Sequence, residues 1–451
     1  MRVLRALLLP SYPRTSTSII ICVRRNRAAF FIVYEMGRQC GRGRDFGVLL
    51  TPLQPAGNGM VQMSAGDRGS YLASRRNLKM ARSSEAYIRG TTKLFYEWLD
   101  TRSRSIPAGP AIWICGDCHL GNVGALADRD GKVAVQVRDF DQTVIGNPVH
   151  DLIRLGLSLA SAARDSNLPG VTTARMLEAL IAGYVGACVG EETAPRLHPP
   201  KDIRKLLKRS LTRRWKNVAV ENFQTDHPIL PRNKRFWPLH RDERTAVREL
   251  CKEKALGKIV LASESEERGQ RKFIDAAYWV KGCSSLGHLR CAVLLRDGKR
   301  GPVSLLDIKE AVHAAAPSAA GAKMPLDNAR RIVAGAKALS PNLGDRMLET
   351  KIADTAVFVR EIAPQDMKIE IGRLAGEELQ AMAHYLGGVV GHAHGRQLDG
   401  QEWRSWAAEL QRTVVDKPDA PSWLWSSVID LLSIHDKAYL EHCRQYALLH
   451  H

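Results

Sequence analysis

Three polar side chains that could do chemistry lie close together after a short apolar run, and a fourth follows the next predicted strand. In the stretch WICGDCHLGNVGAL, Asp117, His119 and Asn122 fall within six residues, and Asp139 follows in the segment VRDFDQ. Moving a phosphoryl group requires a carboxylate that orients or deprotonates the acceptor, and oxygen ligands that hold Mg²⁺ against the phosphates. Magnesium prefers a carboxylate with one more oxygen donor and several waters. These residue types therefore indicate phosphoryl transfer.

Short strands joined by a tight turn are predicted to position these residues. Strands are predicted at Ala111–Cys115 and Val133–Val137, and the sequence ADRDGK between them is a strong tight-turn signal. The second strand ends directly before Arg138 and Asp139. We therefore expect the Asp139 carboxylate at a strand end, where it can hold a metal.

The remaining elements alternate between helical and strand-rich blocks, which indicates an α+β fold with segregated layers. Ser83 or Ser84 is expected to cap the first helix. The region 195–245 gives no clear assignment. The predicted elements are helices at 85–100, 149–165 and 172–189, a strand-rich block at 273–311, a helix at Asp327–Leu339, a strand at Thr355–Ile362, a helix at 376–395 and a helical tail at 402–448.

The quoted motifs resemble those of a known group of proteins. GDCHLGNVGAL, followed by VRDFDQTVIGNPVHDLIRL, is similar to the GDxHxxN and DFD segments of aminoglycoside and choline phosphotransferases, which have a protein-kinase-like fold. The chain more closely resembles an uncharacterised bacterial family in that group, over about residues 75–450. Val123 stands where Phe is common and Arg138 where Asn is common, but neither departure removes a metal ligand.

The resemblance implies a role for each matching residue. Asp117 would be the catalytic base, and Asn122 and Asp139 would be the magnesium ligands. Asp141 would be an additional ligand. Structural support is implied for three further residues, which are His119, Arg89 and Asp151. Of these, Asp151 would be a buried carboxylate that braces the catalytic loop.

A second group of candidate residues lies much later in the chain. The sequence VKGCSSLGHLRCAVLL reads as strand, small-residue turn and strand, which lets backbone N–H groups approach phosphates. The following segment, SLLDIKE, resembles the strand that bears the nucleotide-pairing lysine of kinases, here Lys309. The small residues expected to contact the nucleotide are Gly282, Ser284, Ser285 and Gly287. A plain hairpin turn and a strand-end lysine are the structural alternatives.

In kinases that lysine pairs with a helix glutamate, which the helix DNARRIVAGAKALS lacks. Glu310 and Glu361 remain possible substitutes.

Because the catalytic motifs precede the glycine-containing turn, we expect a circularly permuted, protein-kinase-like fold of two lobes. The expected segments are a basic, disordered extension at 1–70, the first part of the catalytic lobe at 71–260, a small β-rich nucleotide lobe at 261–365 and the helical remainder at 366–451.

The composition indicates in which compartment the chain is expected and what kind of partner it is expected to bind. The 451 residues contain no run of eighteen apolar residues, so no membrane span is expected. Nine cysteines without disulfide spacing favour the reducing cytoplasm. The net charge of +19 is concentrated at 1–44 and 201–218, which indicates an anionic partner or, alternatively, a solvated helix face.

The expected function is that of an ATP- and Mg²⁺-dependent phosphotransferase that acts on a small hydroxylated acceptor. The alternatives are a non-catalytic nucleotide-binding protein and a nucleic-acid-associated protein that uses the basic segments. Transfer of AMP instead of phosphate uses similar residues and stays open.

Overall fold

The computed structural model describes most of the chain. The described residues are 18–25, 28–35, 65–102, 105–187, 198–223, 229–260, 271–283, 286–298, 301–369, 376–412 and 422–446. The chain divides into two compact units, Met1–Gly59 and Met60–His451. In the first unit, β1 (Ser18–Arg25) pairs antiparallel with β2 (Ala28–Glu35). This hairpin lies inside the segment 1–70 that is predicted to be an extension.

Three helices open the second unit. They are α1 (Ala65–Met80), α2 (Ser84–Gly90) and α3 (Thr92–Arg102). The single helix predicted at 85–100 is therefore two helices. A Cβ atom on Gly90 would lie 2.8 Å from Sδ of Met80, so the end of α2 packs closely on α1. Ser83 caps α2 as predicted, because its side chain accepts a hydrogen bond from the Ala86 N–H at 3.1 Å.

Two small antiparallel sheets surround the motif residues. They are β3 (Ile112–Ile114) with β6 (Val144–Gly146), and β4 (Val123–Ala127) between β5 (Val133–Val137) and β13 (Met367–Lys368). The strand predicted at Val133–Val137 is confirmed, and the one predicted at Ala111–Cys115 is shorter than expected. Strand β4 was not predicted, because Gly121 and Gly124 suggest a loop. All five of its residues are buried, so tertiary packing stabilises it.

Most of the second unit is helical. Its other helices are α4 (Val149–Asp165), α5 (Gly170–Gly186), α6 (Lys201–Thr212), α7 (Trp215–Phe223), α8 (Arg241–Leu250), α9 (Asn328–Leu339), α10 (Pro341–Gly344), α11 (Gly376–Gly395), α12 (Gly400–Arg412) and α13 (Ser422–Tyr446). The helices predicted near 149–165, 327–339 and 376–395 are confirmed. Within the described ranges, no helix has the length and apolar character needed to cross a membrane.

A six-stranded antiparallel sheet completes the second unit. In sheet order, its strands are β11 (Met347–Ile352), β12 (Thr355–Ile362), β10 (Val303–Glu310), β9 (Arg290–Asp297), β8 (Arg271–Trp279) and β7 (Phe236–Trp237). Helices and antiparallel sheets thus occupy separate parts of the chain, and the predicted α+β class is confirmed. The predicted boundaries between lobes stay a prediction.

The two faces of the six-stranded sheet have different surroundings. Along β10, Leu306 and Ile308 belong to one apolar cluster, which includes Leu72 of α1 and Val247 of α8. On the other face, Leu305 packs in a cluster with Val218 of α7. Because side chains alternate along a strand, Asp307 and Lys309 share this second face. The face therefore changes from apolar at one end to charged at the other.

Helices α5 and α11 pack with their backbones almost in contact. A Cβ atom on Gly183 would lie 1.9 Å from the carbonyl oxygen of His384, and one on Gly387 would lie 2.1 Å from that of Leu180. A clash with backbone cannot be relieved by a side-chain rotation. Gly186, one turn later on α5, has open space around its Cα.

We expect Gly183→Ala to lower the free energy of unfolding by about 2–3 kcal/mol, because the helices must move apart. Gly186→Ala is the matched control and should raise it by about 0.5–1 kcal/mol through helix propensity. Denaturant unfolding of the full chain measures both. Equal effects of the two substitutions would contradict the close helix packing.

Candidate functional site

The loop after β3 carries Asp117 and is held through its backbone. The Asp151 carboxylate, in the first turn of α4, accepts hydrogen bonds from the N–H groups of Cys115 at 2.7 Å and Gly116 at 2.9 Å. Gly116 has a φ of +74°, and a Cβ atom there would lie 2.1 Å from the carbonyl oxygen of Gln142. The glycine is therefore required, and Asp151 occupies the position expected of a bracing carboxylate.

His119 orders the next turn of this loop. Its Nδ1 accepts a hydrogen bond from the Gly121 N–H at 3.0 Å, which places the ring proton on Nε2. Burial lowers the pKa of His119 to about 4, and the nearby charge of Asp117 only partly opposes that effect. The ring is therefore neutral at physiological pH and supports the loop backbone.

The Asp117 carboxylate is oriented by a buried arginine. Nε of Arg154 donates to Oδ1 of Asp117 at 2.8 Å, and Nη2 of Arg154 donates to the Ile88 carbonyl at 2.6 Å. Asn122 Nδ2 donates to the Asp117 carbonyl at 3.0 Å. One carboxylate oxygen of Asp117 is thus held in place, and its side chain keeps 12% exposure toward a large cavity.

Lys309 joins the six-stranded sheet to the DFD segment. Its Nζ lies 3.2 Å from Oδ1 of Asp139 and 2.7 Å from Oδ2 of Asp141, although 170 and 168 residues separate them in sequence. Lys309 is only 4% exposed. Burial disfavours the charge on Asp139, but Lys309 and Arg360 outweigh it and hold the pKa of Asp139 well below its usual range. Burial and the Asp139 charge raise the pKa of Asp141.

The donor groups here suit a hard cation. The amide nitrogen of Asn122 donates a hydrogen bond to the Asp117 carbonyl. The amide oxygen of Asn122 is therefore the atom that can act as a metal ligand. The Asp139 side chain is 38% exposed, and Oδ1 of Asp141 is buried without a hydrogen-bond partner. In the described ranges, no cluster of three or more His, Cys, Asp or Glu side chains forms a metal site. Magnesium would therefore require Asn122 and phosphate oxygens in addition to the carboxylates.

A cavity of about 670 Å³ lies beside these residues. Asp117, Asn122, Asp139 and Gly282 line it, whereas Asp141 and Lys309 line an adjacent cavity of about 150 Å³. The four carboxylates of the larger cavity are Asp117, Asp139, Asp202 and Asp366. Its ten cationic side chains are those of Arg89, Arg138, Lys205, Arg209, Arg213, Arg235, Lys281, Arg290, Arg360 and Lys368. The cavity is therefore strongly positive.

The turn between β8 and β9 supplies part of the cavity wall. Gly282 has a φ of +93°, and its carbonyl accepts a hydrogen bond from Lys79 of α1 at 2.6 Å. Gly287 has a φ of +103° and does not line the cavity. Ser284 and Ser285 lie outside the described residues. Of the predicted turn residues, only Gly282 can therefore be placed at the site.

Neither glutamate suggested as a partner for Lys309 occupies that position. Glu310 and Glu361 both point away from Lys309, because Lys309 pairs with Phe358 in the sheet and strand alternation places both glutamates on the opposite face. Glu310 instead pairs with His288 at 3.3 Å. The helix after β10 contributes Arg331, whose Nη2 donates to the carbonyls of Asp141 and Val312.

Two sets of charged residues beside the cavity are not predicted individually by the sequence. Apolar Ile203 and Leu206 anchor α6, and Lys205 and Arg209 line the cavity although both side chains are exposed. The basic run at 201–218 was the available signal. The second set, buried within the sheet, is the charged cluster of Asp307 with Arg290 and Arg360, at 2.6 and 2.8 Å. Single arginines inside strands gave no signal of it.

The described parts thus form an α+β protein with a cationic cavity and a carboxylate–amide donor set. A family model described as an uncharacterized protein conserved in bacteria (DUF2252) matches residues 68–445. The chain belongs to this family. No curated protein and no solved structure matches the chain.

A buried chain of hydrogen bonds extends from Asp151 to the C-terminal helices. Asp151 also lies 3.2 Å from Nε2 of His394, and Nδ1 of His394 lies 3.0 Å from the hydroxyl of Tyr184. Trp406 Nε1 donates to that hydroxyl at 3.1 Å. The carboxylate requires a donor, so we assign the ring proton to Nε2 and let Nδ1 accept from Tyr184. The chain of bonds fixes Asp151 and, through it, the loop.

We expect His394→Ala to lower the free energy of unfolding by about 2–3 kcal/mol, since it removes one hydrogen-bond partner from each of the buried Asp151 and Tyr184 groups. His392→Ala, two residues away on the same helix, is the control and should cost less than about 1 kcal/mol. Denaturant unfolding compares the two. Equal losses would show that the hydrogen-bond chain contributes nothing beyond helix packing.

We expect Lys309→Met to destabilise the protein most at neutral pH. In the native chain the ionised form of Asp139 is stabilising, an effect present above the unfolded pKa of about 3.9 and lost as the pH falls from there through the lower folded pKa. Without Lys309, burial and the Asp139 charge raise the pKa of Asp141 further, so protonation of Asp141 reduces the destabilisation of the variant. Its thermal midpoint should therefore approach that of the native chain between pH 7.5 and pH 5. Lys351→Met, at an exposed strand position, should show no such pH dependence.

Proposed function

We propose that this protein is an ATP- and Mg²⁺-dependent phosphotransferase of protein-kinase-like fold that acts on a small hydroxylated acceptor. The single observation that carries the proposal is the contact of Lys309 with Asp139 at 3.2 Å across 170 residues of sequence. Asp117 and Asn122 line the cavity on which Asp139 opens. These are the groups that positioning and charge stabilisation of a phosphoryl group require.

The topology of the large sheet supports a kinase-like small lobe. In kinases the phosphate-covering loop precedes the strand that carries the lysine, and a helix follows that strand. Here the glycine-containing turn joins β8 and β9, Lys309 lies on β10, and α9 follows. The motifs of Asp117 and Asp139 come earlier in the chain, so the proposal includes a circular permutation.

The charged groups suggest how the two substrates would be held. A nucleotide would place its phosphates near Gly282 and the cationic end of the sheet, with Lys309 close by. Asn122 and Asp139 would hold Mg²⁺, which supplies neutralisation of phosphate charge when bound. Asp141, whose Oδ1 has no partner in the described parts, would be the additional ligand.

The proposed reaction makes Asp117 the proton acceptor. The acceptor hydroxyl oxygen forms a bond to the γ-phosphorus, the bond from that phosphorus to the β–γ bridging oxygen breaks, and ADP leaves. The hydroxyl proton passes to Asp117, whose orientation is fixed by Arg154.

The proposed location of the protein is the reducing cytoplasm. The free thiols of Cys115 and Cys118, at the loop that carries Asp117, are compatible with that location.

A non-catalytic nucleotide-binding protein is the second candidate. Two observations favour it: Asp117 is engaged by Arg154 at 2.8 Å, and α9 offers Arg331 where active kinases place a glutamate. Transfer of AMP would use the same residues and remains an open variant of the first proposal.

Nucleotide binding and turnover separate these candidates. With Mg²⁺ and ATP at about 100 times the dissociation constant, we expect about 2.7 kcal/mol of stabilisation of the native chain. Asp139→Asn should remove the magnesium-dependent part of this thermal shift. Asp117→Ala should keep the shift and reduce ATP turnover by about 10²–10⁴-fold.

Asp130→Asn, in the exposed turn of the β4–β5 hairpin, is the matched control and should leave both readouts unchanged. An unaltered shift in Asp139→Asn would refute the metal assignment. Stabilisation without turnover in the native chain would favour the non-catalytic candidate.

A further inference from the structure

The positive charge of the larger cavity exceeds what one nucleotide needs. Ten basic side chains and four carboxylates line it. Two of the arginines, Arg290 and Arg360, are paired with the buried Asp307, and burial lowers the pKa of Lys281 well below its usual range. A divalent cation bound to a triphosphate neutralises about half of the triphosphate charge. Mg²⁺–ATP would therefore still leave cationic side chains of the cavity uncompensated. This surplus indicates a second anion in the same cavity.

Three of the cations, Arg89, Arg138 and Lys368, are grouped beside the loop that carries Asp117. A Cβ atom on Gly121 would lie 2.9 Å from Cζ of Arg89, and one on Gly124 would lie 2.8 Å from Cδ of Arg138. Gly121 thus makes room for the Arg89 guanidinium, whereas Gly124 is required first by the Met367 carbonyl oxygen, 2.2 Å from its Cβ position, and also leaves room for Arg138. Lys368 follows on β13, which pairs with β4 at Gly124.

These cations lack sufficient anionic partners. Nη1 of Arg138 is buried and has no hydrogen-bond partner in the described parts of the chain. The charges of Asp366 and Asp139 act on Arg138, but Asp366 is already held by two nitrogens of Arg346 at 2.9 and 3.1 Å, and Asp139 is paired with Lys309 at 3.2 Å. Arg89 has a 3.5 Å contact with Glu85 at the surface.

The like charges also act on one another. Desolvation by the cavity walls, followed by the charges of Arg138 and Arg89, lowers the pKa of Lys368 to about 8. A bound anion would relieve this repulsion and would give Nη1 of Arg138 its missing acceptor. Arginine and lysine side chains grouped at one cavity are typical of phosphate recognition.

We propose that Arg89, Arg138 and Lys368 form a phosphate-binding subsite beside Asp117, so that the acceptor is a hydroxylated small molecule that already carries a phosphomonoester. The acceptor role of this molecule rests on the proposed function. The subsite holds the phosphomonoester while the acceptor hydroxyl forms its bond to the γ-phosphorus of ATP, ADP leaves, and Asp117 takes the proton. A dianionic phosphate compensates three cations better than a single carboxylate does.

Calorimetric titration of the full chain with inorganic phosphate, in the presence of saturating Mg²⁺–ADP, tests the subsite. We expect phosphate to bind the native chain together with the nucleotide. Lys368→Met and Arg138→Met should each weaken it by about 10–100-fold. Lys93→Met, at an exposed position of α3, is the matched control and should leave phosphate affinity unchanged. Two separate variants are measured so that the test still holds if one of them fails to fold.

Three results would overturn the subsite. They are equal phosphate affinity in the native chain and Lys368→Met, displacement of phosphate by Mg²⁺–ADP, and binding of acetate as tight as that of phosphate. A separate titration with Mg²⁺–ATP keeps the two proposals distinguishable. Phosphate binding that depends on Lys368, without any nucleotide binding, would support the anion site and refute the phosphotransferase.

Discussion

Lys309 lies almost fully buried between two carboxylates, and its charge balance constrains the structure around it. A buried ammonium or carboxylate is costly unless it is paired and hydrogen-bonded. Nζ of Lys309 lies 3.2 Å from the Asp139 carboxylate and 2.7 Å from that of Asp141, which leaves Oδ1 of Asp141 as the only buried side-chain atom of this cluster without a partner in the described ranges. The cluster requires that β10 and the segment after β5 come together, although they are far apart in sequence. The fold thus brings its two groups of candidate residues to one place by charge compensation as well as by apolar packing.

The loop that carries Asp117 is held by polar contacts with buried side chains, none of which is a surface residue. Asp151 holds the backbone, and His394 and Tyr184 connect Asp151 to the C-terminal helices. Arg154 holds the Asp117 carboxylate itself. The arrangement leaves Asp117 oriented toward the cavity, as its proposed role of proton acceptor requires.

The cavity joins elements that the sequence presents as unrelated. Its walls include the turn before β9, the strand ends at Arg138 and Lys368, and the basic helix α6. Lys205 and Arg209 of α6 are exposed and also line the cavity. The proposed anion recognition would therefore depend on several converging elements.

The sequence alone was sufficient to predict the candidate site residues around Asp117, the α+β class and most helices, because apolar periodicity and glycine-rich turns are local signals. It did not predict strand β4, whose glycines suggest a loop, nor the break between α2 and α3. The position of Lys309 beside Asp139 was expected only from the resemblance. Tertiary structure decided the opposite orientation of Glu310, the burial of Asp307 between two arginines and the grouping of Arg89, Arg138 and Lys368. Long-range charge pairing and strand register decide these features, and neither leaves a periodic pattern in the sequence.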